Sequence, residues 1–557
     1  MDKFNGIISI RTGQELKSSV EELLQGVKGK RDVYDFIYGE VIGKGDTPSH
    51  VVLLQGLRRT GKTIIMNQVI QDLTNKDGID YNEICMITIE GTGIDATGLK
   101  EIITDEVSRG RIKFLFVDEV TLVDGVVNLS RYIYDDFSHK GVKIVMTGTN
   151  SYAIILMSYY GLSTRSKLIN IPSVSFKEYY MLKEVITSME YLKTGGIFTK
   201  ELSGGLDFKK YTFSAITDNI AKSFIANNID TVIGTSITSI ISVVNRVLYN
   251  SMFDLYIETF NKTMNLNYAS GSRAPRDLLE SLRSNLSEVL ETRIDAPINK
   301  LEVEAVLQVL IEMGVVKTIR NYMTGKTAYT LNRFPGIVYL FCDIIGDYRE
   351  VIRVLNIPED EAFEMVNSYR RVTEGRILEG MIVSDIIGDG RSGGITSTLN
   401  IDKTVEVDIV HVTKNNVVSL IEVKRSNKSN NKQVRWLVGT VVNSQFRHYK
   451  VVNRIVVYNG VTKVLKVNSN LVKMKLKDKS IEYNGITEEL DPSVDYVYYI
   501  NVDEFLLDLD NFLSGNKINQ MREEYENPVH NEFIDIDTKG IGDGDEYSQH
   551  EDTSLLF

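Results

Sequence analysis

One short segment near the N-terminal end carries the spacing of a phosphate-binding loop. The segment GLRRTGKT, Gly56 to Thr63, follows the apolar run VVLLQ and precedes the helical pattern IIMNQVIQDL. In such a loop the glycines let backbone N–H groups wrap the phosphates, the lysine reaches the β- and γ-phosphate oxygens, and the threonine binds Mg²⁺. The helix N-terminus adds the positive end of its dipole. A chance glycine-rich turn is the alternative, and the pattern predicts a nucleotide site formed by Gly56, Thr60, Gly61, Lys62 and Thr63.

Two arginines and an acidic strand end extend this predicted site. Arg58 and Arg59 lie inside the loop, where they either neutralise phosphate charge or point to water. The apolar strand FLFVDE ends in Asp118 and Glu119. After a phosphate-binding loop, we expect Asp118 to hold Mg²⁺ through water and Glu119 to orient and deprotonate the attacking water. A solvated acidic turn is the alternative. The presence of Glu119 indicates hydrolysis, beyond binding alone.

Two further polar segments are candidates for contact with the nucleotide. The strand VKIVMTGTNSY ends in Thr147, Thr149 and Asn150, where a sensor of the γ-phosphate would lie, although a strand-terminating turn explains these residues equally well. Arg165, in the segment GLSTRSKL, could insert into a nucleotide site as an arginine finger. A loop arginine is more often simply solvated. Asn150 and Arg165 therefore complete the set of candidate nucleotide-binding residues.

A second group of residues that could do chemistry lies in the C-terminal half. The strands VEVDIV and LIEVKRS carry Asp408 and, two residues apart, Glu422 and Lys424. Residues two apart in a strand share a face, and Asp408 joins them if the strands pair. Glu379, in the helical segment GRILEGMI, would supply a third carboxylate. Three carboxylates suit Mg²⁺, and a lysine suits a phosphate or a metal-bound water. Ordinary alternation along an edge strand is the alternative.

Hydrophobic patterning predicts the elements that position these residues. The apolar runs VVLLQ, ICMITIE, KFLFVDE and VKIVMTGT alternate with helical stretches, which predicts a mostly parallel, three-layer α/β sheet. A later helix followed by a hairpin with a Thr-Gly-Lys turn has the outline of a winged helix. We expect a helical leader (1–48), a P-loop ATPase core (49–180), a helical lid or connector (181–299), a winged helix (300–345), a second α/β domain (360–510) and an acidic disordered tail (520–557).

Composition limits the classes of function. The chain of 557 residues has a formal net charge of −12, which argues against coating nucleic acid through global electrostatics. Residues 424–479 are nevertheless rich in lysine and arginine, and a polyanion site is expected there. Cys85 and Cys342 form no CxxC pair, and no secretory signal or spanning segment is found, so a cytoplasmic location is expected. The acidic tail is either a solubilising extension or a nucleic-acid mimic.

These segments resemble the prokaryotic AAA+/ASCE P-loop ATPases whose loop reads G-x-R-R-x-G-K-[ST], followed by a winged helix and a PD-(D/E)xK restriction-endonuclease-like domain. FLFVDE, MTGTNS and INIPSVSFKEYY look like that family's Walker B, sensor strand and Pro-to-Phe-Glu segment. Val407 stands where the family has a proline, and Thr149 and Asn150 where serines are common. The resemblance implies ATP hydrolysis by Lys62, Thr63, Asp118 and Glu119, and a nuclease-like site at Glu379, Asp408, Glu422 and Lys424.

We therefore expect an α/β ATPase, with ATP and Mg²⁺ as cofactors, that couples nucleotide turnover to DNA binding and metal-dependent DNA cleavage. In that cleavage, Glu379, Asp408 and Glu422 would hold Mg²⁺ while Lys424 orients the attacking water. The alternative is a regulatory or signalling switch whose nuclease-like domain is inactive and serves only for binding. A nucleic-acid motor and a small-molecule kinase are less well supported. The expected partners are ATP and DNA, self-association is left open, and no membrane is expected.

Overall fold

The computed structural model describes the chain in stretches separated by gaps. The described residues are 7–44, 49–109, 111–137, 140–162, 165–183, 187–198, 280–281, 284, 300–388, 394–401, 405–428, 431–467 and 491–527. Most of the predicted helical connector and the predicted acidic tail beyond residue 527 lie outside these residues. Within them, no helix has both the length and the apolar character needed to cross a membrane.

The chain divides into two compact units. The N-terminal unit comprises Met1–Lys317 and Asn332–Arg370, and the C-terminal unit comprises Thr318–Leu331 and Arg371–Phe557. The division passes through the predicted winged helix, since its helix belongs to the N-terminal unit and most of its hairpin to the C-terminal unit.

The N-terminal unit is built on a mostly parallel sheet. Among the described residues its strands are β1 Ile8–Thr12, β2 Val51–Gln55, β3 Ile84–Ile89, β4 Phe114–Asp118, β5 Lys143–Thr147 and β6 Ser166–Asn170. Their spatial order is β1-β3-β4-β5-β2-β6, with only β1 antiparallel to its neighbour. This arrangement confirms the predicted mostly parallel α/β sheet.

Helices cover both faces of this sheet. They are α1 Gly13–Leu24, α2 Tyr34–Val41, α3 Lys62–Asn75, α4 Ala96–Arg109, α5 Val126–Phe137, α6 Ser151–Leu156, α7 Phe176–Lys183 and α8 Ser188–Thr194. Val51 and Leu53 of β2 pack with α4 and α5, whereas Val52 and Leu54 pack with α1 and α3. A strand buried on both faces needs a continuous apolar run, which explains the sequence VVLLQ.

The strand order places the carboxyl end of β2 at a change of direction in the chain. From β2 the chain crosses through α3 to β3, which lies beyond β5 and β4, whereas β6 lies on the opposite side of β2. In open α/β sheets, ligands bind in the crevice that such a topological switch point opens. The loop that begins at Gly56 lies in this position.

The segment predicted to be a helical leader also contributes a strand. β1 pairs with β3 from Ile8 opposite Ile89 to Thr12 opposite Cys85, and Ile8 and Ile10 pack against the sheet core. The run ISIRT is short and alternates apolar with polar residues, as is typical of an edge strand. Its partner strand lies over 70 residues away, so local periodicity gave no signal of the pairing.

A helix, a hairpin and three more helices follow the connector. Their bounds are α9 Lys300–Glu312, β7 Val316–Arg320, β8 Thr327–Asn332, α10 Pro335–Ile345, α11 Tyr348–Leu355 and α12 Glu359–Ile387. β7 and β8 form a two-stranded sheet, as expected for the hairpin of the predicted winged helix. Within the N-terminal unit, the Gln55 amide donates to the carbonyl oxygen of Glu312, which ties the end of α9 to the end of β2.

The C-terminal unit contains a second, mixed sheet. Its strands are β9 Ile395–Asn400, β10 Glu406–Val412, β11 Val417–Lys424, β12 Val451–Tyr458, β13 Lys463–Lys466 and β14 Tyr496–Asn501, and its helices are α13 Asn431–Val438, α14 Thr440–Ser444, α15 Val502–Leu507, α16 Leu509–Ser514 and α17 Asn516–Glu526. In the described residues the order is β13-β14-β12-β11-β10-β9. β9, β10 and β11 run antiparallel, and β11, β12 and β14 run parallel. Lys424 therefore lies at the shared carboxyl end of parallel strands.

The hairpin packs on the edge of this second sheet. Asn321 forms a bridge to Thr398, and the Tyr322 backbone N–H donates to the Thr398 carbonyl at 2.7 Å. The Asn321 amide also donates to the carbonyl oxygen of Asn400 at 2.9 Å, and the Tyr322 ring lies 5.0 Å from that of Phe446. Through these contacts the hairpin lies along the edge of the sheet at β9 and is fixed against the C-terminal core.

Candidate nucleotide site and carboxylate–lysine cluster

The glycines of the phosphate-binding loop stand where other residues would not fit. A Cβ atom added to Gly56 would lie 2.7 Å from the carbonyl oxygen of Ile171, which is backbone and cannot move aside. Gly61 has a φ of 92° at the start of α3, a conformation that L side chains disfavour. Sterics therefore require glycine at both ends of the motif.

Lys62 is directed into the loop that precedes it. Only 7% of its surface is exposed, and its ammonium group donates to the carbonyl oxygens of Gly56 at 2.8 Å and Leu57 at 2.9 Å. Burial lowers the pKa of Lys62 to about 8, although Glu119 and Asp118 act in the opposite direction. The lysine is held by neutral carbonyl groups that phosphate oxygens can replace.

Thr63 and Asp118 form the predicted magnesium pair. The Thr63 hydroxyl donates to Asp118 Oδ2 at 2.8 Å, across the gap between α3 and the end of β4. Burial raises the pKa of Asp118, and the hydrogen bond from Thr63 opposes that rise. A hydroxyl and a carboxylate beside a phosphate loop suit Mg²⁺, which usually takes one or two protein carboxylates together with substrate phosphates. The residues present therefore fit this ion.

Glu119 is held in a defined orientation by the next strand. Its Oε2 accepts hydrogen bonds from the Thr149 backbone N–H at 2.9 Å and from the Thr149 hydroxyl. Its backbone has a φ of 56°, which is strained for a residue with a side chain. Strain of this kind costs on the order of 1 kcal/mol and concentrates at functional sites. The structure thus joins the predicted water-activating residue to the predicted sensor strand.

The other two polar residues of the sensor strand have structural partners. The Thr147 hydroxyl donates to the carbonyl oxygen of Leu54 at 3.0 Å, between β5 and β2. Asn150 caps α6, because its Oδ1 accepts the backbone N–H of Ala153 at 2.9 Å. The Asn150 side-chain oxygen is therefore committed to the cap, and of the three candidates only Thr149 contacts a predicted catalytic residue.

The structure places Arg165 away from the phosphate loop of its own chain. β6 begins at Ser166, which pairs with Val51 at the start of β2, whereas the phosphate loop follows Gln55 at the other end. Five strand residues span about 16 Å. Arg165 instead forms an ion pair of 2.9 Å with Asp135 and is 47% exposed at its side chain. The register of parallel strands, which decides the end at which a loop lies, was not visible in the local sequence.

The two loop arginines differ in their surroundings. The side chain of Arg58 is exposed, and its charge lowers the pKa of Lys62 after the larger effect of burial. Arg59 has a φ of 66°, and its carbonyl oxygen accepts the backbone N–H of Phe198 at 2.9 Å. Arg58 is therefore the one of the pair whose charge acts on the lysine of the loop, while Arg59 contributes its backbone to the loop geometry.

A buried ion pair beneath the loop was not predicted from the sequence. Nε and Nη2 of Arg31 donate to the two carboxylate oxygens of Glu178 at 2.7 and 2.8 Å, and its Nη1 donates to the Thr60 carbonyl at 2.7 Å. Both side chains are 5% exposed. The same guanidinium contacts the carbonyls of Pro172 and Ser173. Arg31 thus connects the N-terminal segment, the phosphate loop and the segment IPSVSFKEYY. Glu178 is the acidic residue of that segment and the one feature in it that could have indicated a partner for an arginine.

The C-terminal unit brings three of its four predicted site residues together. Lys424 Nζ lies 3.2 Å from Glu422 Oε2 and 3.8 Å from Asp408 Oδ2, and the same Asp408 oxygen accepts the Val423 backbone N–H at 2.7 Å. The antiparallel register of Ile409 opposite Ile421 sets Asp408 beside Glu422. Among the described residues, Glu379 on α12 forms no hydrogen bond or ion pair with these three, but the charges of Asp408 and Lys424 act on its pKa after the larger effect of burial. We call the four residues Glu379, Asp408, Glu422 and Lys424 the carboxylate–lysine cluster.

The members of this cluster differ in the direction and cause of their pKa shifts. Burial, followed by the charge of Asp408, raises the pKa of Glu422 to about 8. Burial and Asp408 also raise the pKa of Glu379 well above its ordinary value. Burial alone would lower the pKa of Lys424, but the two neighbouring carboxylates raise it. Burial therefore favours the protonated forms of Glu379 and Glu422, and the neighbouring carboxylates favour the charged form of Lys424.

The described residues of this cluster hold no ready-formed metal centre. Within the described stretches of the chain, no group of three or more His, Cys, Asp or Glu side chains is arranged to hold a metal. The Lys424 ammonium lies beside both Asp408 and Glu422. The assignment of Glu379, Asp408 and Glu422 to a magnesium site therefore stays a prediction.

The family comparison matches a segment of the N-terminal unit. A family model described as an AAA domain matches residues 48–180. No curated protein matches the chain. Solved structures with similarity include PCH-2 of C. elegans (16% identity, 40% of this chain and 67% of that one, TM-score 0.24) and the ORC1 protein of Aeropyrum pernix in complex with DNA (14% identity, 62% and 98%, TM-score 0.24).

A third similar structure is Cdc6p of Pyrobaculum aerophilum, with 15% identity over 60% of this chain and 96% of that one and a TM-score of 0.20. Structural similarities with identities and TM-scores this low support no conclusion about function. The family match is different, because it coincides with the strands, loop and acidic pair described above. Residues 48–180 therefore match an AAA domain, and the phosphate loop and the Thr63–Asp118 pair lie within this match.

Proposed function

We propose that the protein binds and hydrolyses ATP at the loop from Gly56 to Thr63, with Glu119 as the residue that activates water. The observation that carries this proposal is the pair of links at the carboxyl end of the sheet, Thr63 to Asp118 and Thr149 to Glu119. A structural turn would not need an oriented glutamate on a strained backbone beside a phosphate loop.

Each residue of the loop has a separate task in this proposal. The backbone N–H groups at the start of α3 and the Lys62 ammonium bind the phosphate oxygens. Thr63 and Asp118 would hold Mg²⁺, which neutralises phosphate charge when bound. Glu119 accepts a hydrogen bond from the attacking water and takes its proton, while Thr149 fixes the carboxylate in place.

Binding of ATP is tested with Lys62→Ala, and Lys17→Ala serves as the control because Lys17 is an exposed lysine on α1. Titration calorimetry of the full chain with ATP and Mg²⁺ should give an ATP affinity at least tenfold weaker for Lys62→Ala and unchanged for Lys17→Ala. Equal ATP affinity in the wild type and Lys62→Ala would contradict the proposed site.

We propose a second function for the C-terminal unit, which is binding of DNA through its phosphate backbone at the carboxylate–lysine cluster. The supporting observation is Lys424, a lysine with a side chain 27% exposed that lies at the shared carboxyl end of the parallel strands β11 and β12, where its ammonium can meet a phosphate. The proposal is binding without cleavage, which corresponds to the alternative of a switch whose nuclease-like domain serves only for binding.

This second function is tested with a fluorescent duplex oligonucleotide and the full chain, with and without ATP. Lys424→Ala should weaken DNA binding, and ATP should change the affinity of the wild type if nucleotide occupancy acts on the C-terminal unit. Parallel reactions with Mg²⁺ or Mn²⁺ on plasmid DNA should show no nicking. Metal-dependent nicking that Lys424→Ala abolishes would replace the binding proposal with a nuclease.

A further inference from the structure

Two segments that contribute to the C-terminal unit carry basic residues and no acidic ones. No aspartate or glutamate occurs from Val423 to Lys477 or from Met313 to Cys342, although the whole chain has a formal net charge of −12. The first segment contains the turn between α14 and β12, and the second contains the hairpin of β7 and β8. Lysines and arginines in the turn and the hairpin therefore have no acidic neighbours in the sequence.

The fold brings the turn and the hairpin into contact. The Tyr322 hydroxyl of the hairpin lies 3.1 Å from the Tyr449 hydroxyl of the turn, and the Tyr322 ring lies 5.0 Å from that of Phe446. The Lys326 carbonyl oxygen accepts the Asn321 backbone N–H at 2.9 Å, which sets Lys326 beside this contact. Because the hairpin is also anchored to β9, the basic residues of both segments are held close to one another.

The basic residues around this contact are accessible to solvent. We define the basic strip as four exposed residues of the hairpin and the turn: Arg320, Lys326, Arg447 and Lys450. Among the described residues, Arg320, Lys326 and Lys450 have no ion-pair partner. The Arg447 side chain is 70% exposed and lies 3.8 Å from Asp491, whose side chain is only 4% exposed. The strip therefore presents positive charge to the solvent.

The phosphate backbone of a nucleic-acid duplex matches this strip in charge. A duplex carries about one negative charge per 1.7 Å of its axis, so several cations on one surface can meet several phosphates at once. An exposed cation among mixed charges is usually just solvated, but the strip lies where two acid-free segments meet. Lysine and arginine are also the side chains that bind phosphate oxygens most strongly.

We propose that the basic strip binds the phosphate backbone of a nucleic-acid duplex. This inference rests on the DNA binding proposed above and adds a second contact surface to it. Val451, next to Lys450, pairs with Val417 at the start of β11, whereas Lys424 ends that strand. Lys450 is therefore separated from Lys424 by about 23 Å along the strand, so that the two contributions can be measured separately. Phosphate contacts of this kind set affinity and position on the duplex and read no base sequence.

The test measures the Kd of the full chain for a fluorescent duplex oligonucleotide over a range of salt concentrations, in EDTA. Lys326→Gln/Lys450→Gln removes two charges of the strip. Lys463→Gln/Lys466→Gln is the matched control, because it removes two exposed lysines from β13 at the opposite edge of the sheet. The strip variant should lower the slope of log Kd against log salt by about two and bind roughly tenfold more weakly near 0.1 M salt, whereas the control should match the wild type.

A variant that keeps the charge provides the second readout. Lys326→Arg/Lys450→Arg should retain the slope and the affinity of the wild type, and the melting temperature of each variant should stay unchanged because the substituted residues are exposed. An unchanged slope in Lys326→Gln/Lys450→Gln, when Lys424→Ala binds more weakly, would overturn this inference and leave DNA binding standing. Equal losses in the strip variant and its control would assign the effect to total charge and would also overturn it. A wild type that binds no duplex would overturn both proposals.

Discussion

The carboxylate of Glu119 accepts two hydrogen bonds from Thr149, one from its backbone N–H at 2.9 Å and one from its hydroxyl. Glu119 follows β4 and Thr149 follows β5, so the two residues join the ends of neighbouring parallel strands. The position of the proposed water-activating group is therefore set by the strand beside it. A shift of the Thr149 segment on nucleotide binding would move the carboxylate with it.

Thr149→Val removes the hydroxyl and keeps the backbone N–H and the shape of the side chain. We expect kcat for ATP hydrolysis to fall about tenfold, because the carboxylate loses one of its two fixed partners. The affinity for ATP should change less than threefold, since Thr149 does not belong to the phosphate loop. Steady-state phosphate release and ATP titration separate the two effects. A loss of affinity with unchanged kcat would place Thr149 on the nucleotide instead.

The lowered pKa of Lys62 predicts proton uptake on ATP binding. In the free protein the pKa is about 8, so near that pH part of the population carries a neutral lysine. Phosphates favour the charged form, and ATP affinity should therefore fall as the pH rises through 8. Calorimetry in buffers of different ionisation enthalpy should detect uptake near pH 8 in the wild type and none in Lys62→Arg, whose guanidinium stays charged. Equal proton uptake in both proteins would assign it to another group.

The Arg31–Glu178 pair should be a large contributor to the stability of the N-terminal unit. Arg31→Ala leaves the Glu178 carboxylate buried without its partner and removes the support of the Thr60 carbonyl. Breaking a buried pair in this way costs about 3–5 kcal/mol. Urea unfolding should show that loss for Arg31→Ala and less than about 0.5 kcal/mol for Lys17→Ala, a surface control. A loss below 1 kcal/mol would show that water reaches the pair.

The same pair predicts acid sensitivity. Burial alone would raise the pKa of Glu178, but Arg31 and backbone N–H groups lower it below its ordinary value. A carboxylate with a lowered folded-state pKa stabilises the fold above its unfolded pKa of about 4.3, and that stabilisation is lost as the pH falls below this value. The difference in unfolding free energy between the wild type and Glu178→Gln should therefore be full at pH 6 and shrink towards pH 3. A difference that is independent of pH would exclude the charge of Glu178 as its source.

Patterns that are local in the sequence predicted much of the nucleotide site. The spacing from Gly56 to Thr63 identified the loop, and the acidic end of FLFVDE identified Asp118 and Glu119, because each depends on neighbours in one strand or turn. Strand periodicity likewise placed Glu422 and Lys424 on one face. These predictions hold because the periods of strands and helices are properties of the backbone.

Features that depend on distant partners were not predictable in this way. Arg31 and Glu178 are separated by 147 positions, and nothing in the segment VKGKRDVYD distinguishes its arginine from a solvated one. The position of Arg165, at the opposite end of β2 from the phosphate loop, depends on strand register, which the sequence does not give. The raised pKa values of Glu379 and Glu422 were likewise not predictable, since they arise from burial in the folded chain.

The most direct test of the proposed ATPase is single-turnover hydrolysis by Glu119→Gln, with Glu101→Gln on the exposed side of α4 as the control. The amide keeps the shape of the side chain and can no longer take a proton. We expect the Glu119→Gln rate to fall by about 100-fold or more while ATP affinity stays within about threefold of the wild type, and Glu101→Gln to match the wild type. Hydrolysis by Glu119→Gln at the wild-type rate would contradict the account.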